Sequence, residues 1–406
     1  MKRGHLLAVT HLVSLALMAG SPSSAQNPSI SDGVIRIGVL NDRSGPYADL
    51  TGEGSVVAAR MAVDEMGGSI RGARVEIVAA DHQNKADIGA AIARRWFEAE
   101  KVDTVADLSN SSVGFAVLAL AKDHIVLNAS GSAAFTGKAC TATSFQSPYN
   151  SFSNAFGLAS TVTKRGADMN SWFLLTVDYA FGHALAADIR KGVEANGGKV
   201  LGEVRHPVNT SDFSSYLLQA QASGAKVIAL ANAGNDFVTS FKQAVEFGIT
   251  KSQTMVAPTV FITDVPALGL STAQGLQFVT GFYWDRDEAS RNWSKRFHER
   301  VGRMPTMSQA GVYSLVRHYL RAVDAAGTDD GPAVAARMRE LPVDDFFGGR
   351  VRADGQFAHD MYLARIKRPS ESKRDWDFYD ILTTIPADQA FRSLEQSECP
   401  LVGKRP

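Results

Sequence analysis

Residues 34–66, VIRIGVLNDRSGPYADLTGEGSVVAARMAVDEM, decide the fold class of this chain. The opening segment, Val34–Leu40, is largely apolar without strict alternation, which is typical of a strand buried on both faces. A polar loop rich in Gly and Ser follows and carries one aromatic residue, Tyr47, and the apolar spacing then predicts a helix over Ser55–Met66. A strand, a polar loop and a helix in this order predict an α/β protein whose strand-end loop faces a ligand.

The N-terminus has the pattern of an export signal. Lys2 and Arg3 precede an apolar run, Leu6–Ala19, and the small residues Ser23–Ala25 offer a cleavage site. The alternative is an N-terminal membrane anchor, but the run is shorter than the ~20 residues that a spanning helix needs. We therefore expect residues 1–25 to be a signal peptide and the mature chain to be exported without membrane insertion.

Composition indicates a large globular protein that does not bind nucleic acid. The chain has 406 residues, of which 42 are basic and 42 acidic, and no extended basic block occurs. A balanced charge argues against a nucleic-acid partner. The length exceeds what one compact core usually holds, so two lobes of ~150–200 residues are expected.

The two cysteines, Cys140 and Cys399, both lie in the mature chain. In an oxidising compartment two lone thiols most simply pair, although two free buried thiols are the alternative. A bridge between them would tie the C-terminal tail to the first lobe. Chain entropy alone would give such a long loop about 4–5 kcal/mol of stabilisation as an upper limit.

Strand-like and helix-like segments alternate through two successive blocks, which predicts parallel sheets covered by helices. The predicted strands are Val34–Leu40, Arg74–Ala80, Val102–Asp107, Ile125–Asn128, Trp172–Val177, Lys199–Arg205, Val227–Ala231 and Thr254–Ala257. The predicted helices between them are Ser55–Met66, Ala86–Glu100, Val113–Lys122, Phe152–Arg165, Ala184–Asn196, Phe213–Ser223 and Phe237–Phe247. After Gly275 the pattern changes to three helices and a β-rich end, which suggests a return to each lobe.

The search for catalytic and cofactor motifs gives no match. The first strand-to-helix turn, NDRSGPYADLTGEG, lacks the glycine spacing of a dinucleotide site. No G-x-S-x-G elbow, H-E-x-x-H or C-x-x-C occurs in the sequence. We therefore expect no cofactor, no metal and no enzymatic activity, and an exported α/β enzyme is the least favoured alternative.

Five segments in order resemble the type I periplasmic solute-binding proteins of ABC importers, in the leucine/isoleucine/valine-binding branch. These segments are Ile35–Gly52, Val102–Val117, Ile125–Thr136, Leu174–Ala186 and Ala244–Ile249. The resemblance implies two α/β lobes, each a parallel-dominated sheet with helices on both faces, joined by three crossovers, with the ligand in the cleft between them. The crossovers are expected near Gln146–Asn150, Phe278–Trp284 and Phe346–Arg352.

These crossovers set the expected domain boundaries. Lobe 1 is expected to comprise residues 26–147 and 282–347, and lobe 2 residues 148–281 and 348–390. Residues 391–406 are expected to form a tail tied back to lobe 1.

Polar strand-end loops of the first lobe are the candidate carboxylate site. The polar run Ser109–Ser112 joins a predicted strand to the helix that begins near Val113, where free backbone N–H groups and hydroxyls suit an anion. Asn110 and Ser111 are the candidate ligand-binding residues within it. An ordinary helix N-cap is the alternative. The resemblance implies that Ser130 and Ser132, at the next strand end, complete this pocket, although a loop chosen for its turn would look the same.

Aromatic residues are the candidate walls of the cleft. The resemblance implies that Tyr47 forms one wall and that Tyr179 and Phe181 form the opposite one, with packing over a loop as the alternative. Tyr283 lies at an expected crossover and either lines the cleft or packs the crossover. Thr259 stands where amino-acid binders of this branch place the acid that pairs with the ligand's ammonium. A buried ammonium without that acid is costly, so Thr259 favours a ligand that is not an amino acid.

The resemblance implies a receptor in the periplasm. It would capture a small carboxylate-bearing solute, either an aromatic or other organic acid or a branched-chain-type amino acid, and deliver it to an ABC permease in the inner membrane. We expect it to act as a monomer. A sensory receptor for a membrane signalling protein is an alternative that the sequence does not separate from this one.

Overall fold

The computed structural model describes Met1, residues 30–129 and residues 131–403. Residues 2–25 of the expected signal peptide and the candidate residue Ser130 therefore lie outside the described residues. The first sheet has six strands in the order β2-β3-β1-β4-β5-β6, and all its pairs are parallel except β2 with β3. Its strands are β1 (Val34–Asn41), β2 (Ser69–Ile70), β3 (Ala73–Asp81), β4 (Thr104–Asp107), β5 (Ile125–Asn128) and β6 (Ser144–Gln146).

The second sheet has four parallel strands in the order β10-β9-β7-β8. These strands are β7 (Ser171–Val177), β8 (Lys199–His206), β9 (Val227–Ala231) and β10 (Thr254–Val256). All residues of β4, β5 and β9 are buried, as strands with helices on both faces should be. The predicted α/β class with parallel-dominated sheets is confirmed.

Helices follow most strands of both sheets. Those of the two α/β blocks are α1 (Gly52–Glu65), α2 (Ala86–Glu98), α3 (Ser111–Ala121), α4 (Ser151–Thr163), α5 (Ala180–Glu194), α6 (Ser214–Ala222), α7 (Asn235–Glu246), α8 (Asp264–Leu268) and α9 (Leu270–Ala273). The return segment adds α10 (Glu288–Val301), α11 (Met307–Ala326) and α12 (Gly331–Glu340). Helix α11 packs along α1 and reaches β4 and β5, so it belongs to the layer beside the first sheet.

The β-rich end of the chain divides between the two lobes. Strands β11 (Gln277–Thr280), β14 (Met361–Ile366) and β15 (Tyr379–Ile385) form an antiparallel sheet, and β11 also contacts α4. The short hairpin of β12 (Arg350–Val351) and β13 (Phe357–Ala358) lies instead at the edge of the first sheet.

A parallel bridge between Gln146 and Gln356 fixes the position of this hairpin. The chain therefore passes from the first lobe to the antiparallel sheet after Ala358, whereas the expected boundary assigned residues from 348 onward to lobe 2. Two-residue strands have too little pattern to show which sheet they join.

The C-terminal segment is fastened across the crossovers. Cys140 and Cys399 form a disulfide, with Cα atoms 5.6 Å apart, which confirms the predicted pairing. A last short helix, α13 (Ala387–Ala390), precedes Arg392, whose guanidinium contacts Asp188 of α5 at 3.3 Å. The tail therefore touches elements on both sides of the crossovers.

Candidate functional site

A cavity lies between the carboxyl ends of the two sheets, and we call it the cleft. This is where the loops of parallel strands converge and where ligands bind in such folds. Its walls are Tyr47, Leu50, Thr51, Ser109, Gly131, Tyr149, Tyr179, Phe181, Ala233, Phe261 and Ser308. Among these described wall residues there is no Asp, Glu, Lys or Arg, so the cleft offers aromatic rings and hydroxyl groups.

The two lobes meet across the cleft through a pair of tyrosines. The Tyr179 hydroxyl donates to the Tyr47 hydroxyl at 3.1 Å, and the ring centroids lie 6.5 Å apart. Burial raises the pKa of both phenols, so both keep their protons at neutral pH.

A second contact across the cleft brings two backbones together. The Asn235 N–H donates to the Pro46 carbonyl at 3.4 Å, and Gly234 has φ +60° there. A Cβ on Gly234 would stand 2.7 Å from the Pro46 carbonyl oxygen. The close approach therefore requires glycine, and with the tyrosine pair it defines a closed arrangement of the lobes.

The buried carboxylate of Asp42 holds the loop that carries Tyr47. It accepts from the backbone N–H groups of Gly45 and Tyr47, both at 2.8 Å, and from the Asn84 side chain at 2.5 Å. Three donors on one fully buried carboxylate make the loop rigid. Tyr47 is thereby positioned before any ligand arrives.

Ser109 presents its hydroxyl proton to the cleft. Its oxygen accepts from the Asp42 N–H at 3.0 Å and lies 3.3 Å from His82 Nε2. His82 Nδ1 accepts from the Asn84 N–H at 3.0 Å, so Nε2 carries the ring proton and donates to Ser109. Burial lowers the pKa of His82 to about 4, which keeps the ring neutral. With both lone pairs of its oxygen occupied, Ser109 is left as a donor to a ligand.

Backbone conformation at the end of β4 directs Ser109 to this place. Asp107 and Leu108 both have positive φ, +80° and +55°, which is uncommon for residues other than glycine. Such conformations cost about 1–3 kcal/mol each and concentrate at functional sites. The buried Asp107 carboxylate accepts from Asn41 Nδ2 at 2.8 Å, and Asn41 in turn donates to the Gly52 carbonyl.

The Asp107→Asn substitution should change how stability depends on pH. Burial raises the pKa of Asp107 to about 7, against about 3.9 in the unfolded chain. Between these values the folded protein holds a proton that the unfolded chain has lost, so the wild type loses stability as pH rises from about 4 to 7. The slope is at most about 1.4 kcal/mol per pH unit. Denaturant unfolding at pH 5 to 8 measures this effect. The free energy of unfolding of Asp107→Asn should rise relative to that of the wild type up to about pH 7, and the difference between the two should stay constant above it.

The exposed Asp123 provides the matched control for this experiment, since Asp123→Asn removes a carboxyl group from the surface. It should leave the pH dependence between 5 and 7 close to that of the wild type. A constant difference between Asp107→Asn and the wild type over the whole range would contradict the assignment of a raised pKa to Asp107.

The structure places three of the predicted carboxylate-site residues behind the cleft wall. Asn110 is the N-cap of α3, and its Oδ1 accepts from the N–H groups of Ser112 and Val113 at 2.9 and 3.3 Å. Ser111 Oγ accepts from the Ser132 N–H at 3.1 Å, and Ser132 Oγ accepts from the Ala134 N–H at 3.2 Å. The N-cap alternative thus describes Asn110, and any contact of these residues with a ligand stays a prediction.

The predicted aromatic residues divide between two cavities. Tyr47, Tyr179 and Phe181 line the cleft. Tyr283 lies in a neighbouring small cavity and packs on Tyr379 with ring centroids 5.0 Å apart.

Thr259 is buried and does not line the cleft; its Oγ1 accepts from the Asn154 side chain at 3.3 Å. Asp236, an acid of the second lobe whose charge acts on Tyr47, accepts from the N–H groups of Asn209 and Thr210. Those hydrogen bonds hold the Asp236 carboxylate against a loop of its own lobe.

Several wall residues were not among the sequence candidates. Ser109 belongs to the serine-rich run after β4 but was not singled out within it. Tyr149, Ala233, Phe261 and Ser308 come from crossovers or later segments, and no motif marks them. Only Tyr149 had a local signal, because an aromatic residue beside Pro148 in an expected crossover lies close to both lobes.

The described residues contain no cluster of three or more His, Cys, Asp or Glu suited to a metal ion. A search of the same residues finds no helix that combines the length and the apolar character needed to span a membrane.

Comparison with known proteins gives consistent matches. Residues 34–374 match the model of the periplasmic binding protein family. A periplasmic binding protein from Burkholderia mallei is 45% identical, with 91% of this chain and 99% of that chain covered and a TM-score of 0.88. A branched chain amino acid ABC transporter periplasmic ligand-binding protein from Burkholderia xenovorans is 39% identical, with 91% and 100% covered and a TM-score of 0.80.

More distant structures show the same fold. An ABC transporter solute binding protein from Rhodopseudomonas palustris, solved in complex with benzoate, is 18% identical, with 90% of this chain and 99% of that chain covered and a TM-score of 0.78. No curated protein gives a significant match to the sequence.

Proposed function

Because the chain belongs to the periplasmic binding protein family, we propose that it is the receptor of an ABC importer for a small organic acid with an aromatic or apolar body. The relative from Burkholderia xenovorans is described as an ABC transporter periplasmic ligand-binding protein, which supports a role in solute capture. The proposal adds the class of solute and delivery to a permease in the inner membrane.

The chemistry of the cleft wall carries this proposal. Five of its residues are aromatic, Tyr47, Tyr149, Tyr179, Phe181 and Phe261, and suit a flat apolar body. Hydroxyl donors such as that of Ser109 suit the oxygen atoms of a carboxylate. No described wall residue offers a carboxylate to pair with an ammonium group, and an unpaired buried ammonium is costly.

The solved structures include a complex with an aromatic acid and a relative described by an amino-acid ligand. The benzoate complex from Rhodopseudomonas palustris has an aromatic acid in the same fold, although at 18% identity it indicates the fold alone. The relative from Burkholderia xenovorans, at 39% identity, is described as a branched chain amino acid transporter protein. A branched-chain amino acid is therefore the second candidate.

Isothermal titration against a panel of acids tests the proposal. The protein should first be unfolded and refolded to remove any carried ligand, and then titrated with benzoate, 4-hydroxybenzoate, short-chain acids, leucine and valine. We expect an aromatic acid to bind with micromolar affinity, about 8 kcal/mol, and leucine and valine to bind at least 100-fold more weakly. Tight binding of leucine or valine with no response to any other acid would contradict the proposal and favour the second candidate.

A further inference from the structure

The first turn of α11 faces the cleft with part of its backbone uncapped. Thr306 is the N-cap; its Oγ1 accepts from the Gln309 N–H at 3.2 Å, and Gln309 Oε1 accepts from the Thr306 N–H at 3.0 Å. This capping box satisfies the third N–H of the helix. The N–H groups of Met307 and Ser308, the first two, have no partner within a helix.

Ser308 in this turn has a buried hydroxyl with no hydrogen-bond partner among the described residues. Its side chain lines the cleft and is 1% exposed, and its Oγ has no hydrogen bond to any described residue. A buried hydroxyl without a hydrogen bond costs about 1–3 kcal/mol. Two neighbouring hydroxyls are satisfied: Thr51 Oγ1 donates to the Tyr47 carbonyl at 3.2 Å and Thr306 Oγ1 to the Leu50 carbonyl at 2.6 Å.

The dipole of helix α11 strengthens the attraction of an anion to the Ser308 hydroxyl. Helix α11 has 20 residues, and the positive end of its dipole lies at Ser308. Helix α3, whose N-terminus also approaches the cleft, differs because Asn110 already accepts from two of its first N–H groups. Of these two helix ends, that of α11 therefore keeps more of its first N–H groups free for an anion.

We propose that Ser308, together with the first turn of α11, binds a negatively charged or electron-rich oxygen atom of the ligand. This inference deepens the proposed function and rests on it for the identity of the ligand. The oxygen belongs either to the carboxylate or to a ring substituent such as a phenol, and both are acceptors that the Ser308 hydroxyl can satisfy.

The surroundings of Ser308 make it a fixed part of the first lobe. Thr306 is bonded to the Leu50 carbonyl and Gln309 Nε2 donates to the Thr51 carbonyl at 3.2 Å, so the turn is fastened to the loop that leads into α1. Ser109 lies on the same lobe, at the end of β4. The first lobe therefore supplies hydroxyl donors before closure, and the second brings Tyr179 and Phe181 over the ligand.

Titration of Ser308→Ala with benzoate and 4-hydroxybenzoate tests the contact. We expect about tenfold weaker binding of the acid whose oxygen Ser308 holds. An equal loss for both acids assigns the carboxylate, and a loss for 4-hydroxybenzoate alone assigns the phenol. Ser314, buried on the same helix but outside the cleft wall, gives the matched control Ser314→Ala, which should bind within about twofold of the wild type. Wild-type affinity of Ser308→Ala for both acids would overturn the inference.

A pair of variants of equal size separates charge from shape. Ser308→Asp places a negative charge at a helix N-terminus, which the dipole favours, so folding should be preserved. If Ser308 holds the carboxylate, this variant should nevertheless bind the anionic acids at least tenfold more weakly than Ser308→Asn. If Ser308 holds the phenol, Ser308→Asp should bind 4-hydroxybenzoate more tightly than Ser308→Asn, because the phenol O–H can donate to the new carboxylate. Equal affinities of these two variants would mean that no charged or electron-rich oxygen lies at Ser308.

Bromide provides a probe that does not depend on the identity of the ligand. Crystals of the wild type soaked in bromide should show an anomalous peak beside Ser308, and crystals of Ser308→Asp should not. Absence of the peak from wild-type crystals that bind bromide elsewhere would overturn the inference. If the peak is present but no aromatic acid binds the wild type, the proposed function fails and the anion site at α11 stands.

Discussion

A variant with serine at both Cys140 and Cys399 is expected to lose about 2–5 kcal/mol of unfolding free energy, which is much of the stability of an ordinary domain. The disulfide closes a loop with a sequence separation of 259 residues, so its loss frees a large part of the unfolded chain. The bridge also secures the tail that contains Phe391, which is buried, and Arg392, whose guanidinium lies 5.2 Å from the centroid of the Phe152 ring. Urea unfolding at equilibrium measures the loss.

Reductant supplies the control for this experiment. Dithiothreitol should lower the unfolding midpoint of the wild type towards that of the variant and leave the variant unchanged, because the variant has no thiol. Thiol titration of the exported wild type under denaturing, non-reducing conditions should detect no free thiol. Two free thiols, or a variant as stable as the wild type, would contradict the stabilising role of the bridge.

The alternation of apolar and helical segments was enough to predict both parallel sheets. Strands β5 and β9 have the predicted bounds, since each is a short apolar run with polar residues on both sides. The hairpin of β12 and β13 could not be assigned in this way. Its place depends on Gln356 meeting Gln146, a pairing between residues 210 positions apart that no local pattern reveals.

The place of a side chain at the cleft could be predicted where its residue type has one main structural role in that kind of segment. Aromatic side chains in polar loops have little to pack on locally, and Tyr47, Tyr179 and Phe181 indeed line the cleft. Serine and asparagine after a strand serve equally as helix caps, loop braces and ligand donors. The structure shows Asn110 as a cap and Ser111 as a brace for Ser132, while Ser109 faces the cleft.

Ser308 shows what sequence reasoning could not reach. It is an ordinary polar residue in the first turn of an amphipathic helix, and its position at the cleft depends on the crossovers that bring α11 back beside the first sheet.

Thr259 shows the opposite case. Its position in the sequence suggested a ligand contact, but its hydroxyl is bonded to Asn154 inside the second lobe.

The tyrosine pair should produce the largest loss of binding when its rings are removed. Tyr47 is almost fully buried between the loop that Asp42 holds and the ring of Tyr179, so Tyr47→Ala removes one wall of the cleft. Truncation of such a central aromatic costs about 2–4 kcal/mol, or roughly 30- to 1000-fold in affinity. Titration with the tightest-binding acid of the panel measures this loss, and a loss below tenfold would show that Tyr47 is not a wall of the occupied cleft.

The hydroxyl groups of the pair can be tested apart from the rings. Tyr47→Phe and Tyr179→Phe each break the same hydrogen bond between the lobes and keep the aromatic walls, so each should weaken binding by about 1 kcal/mol. Because one bond joins the two hydroxyls, the double variant should be no weaker than either single variant. Small-angle scattering of the same proteins should show that fewer molecules of each variant close at a given ligand concentration. If the losses of the two single variants instead add up in the double variant, each hydroxyl contacts the ligand separately, and closure is secured by the backbone contact of Asn235 with Pro46.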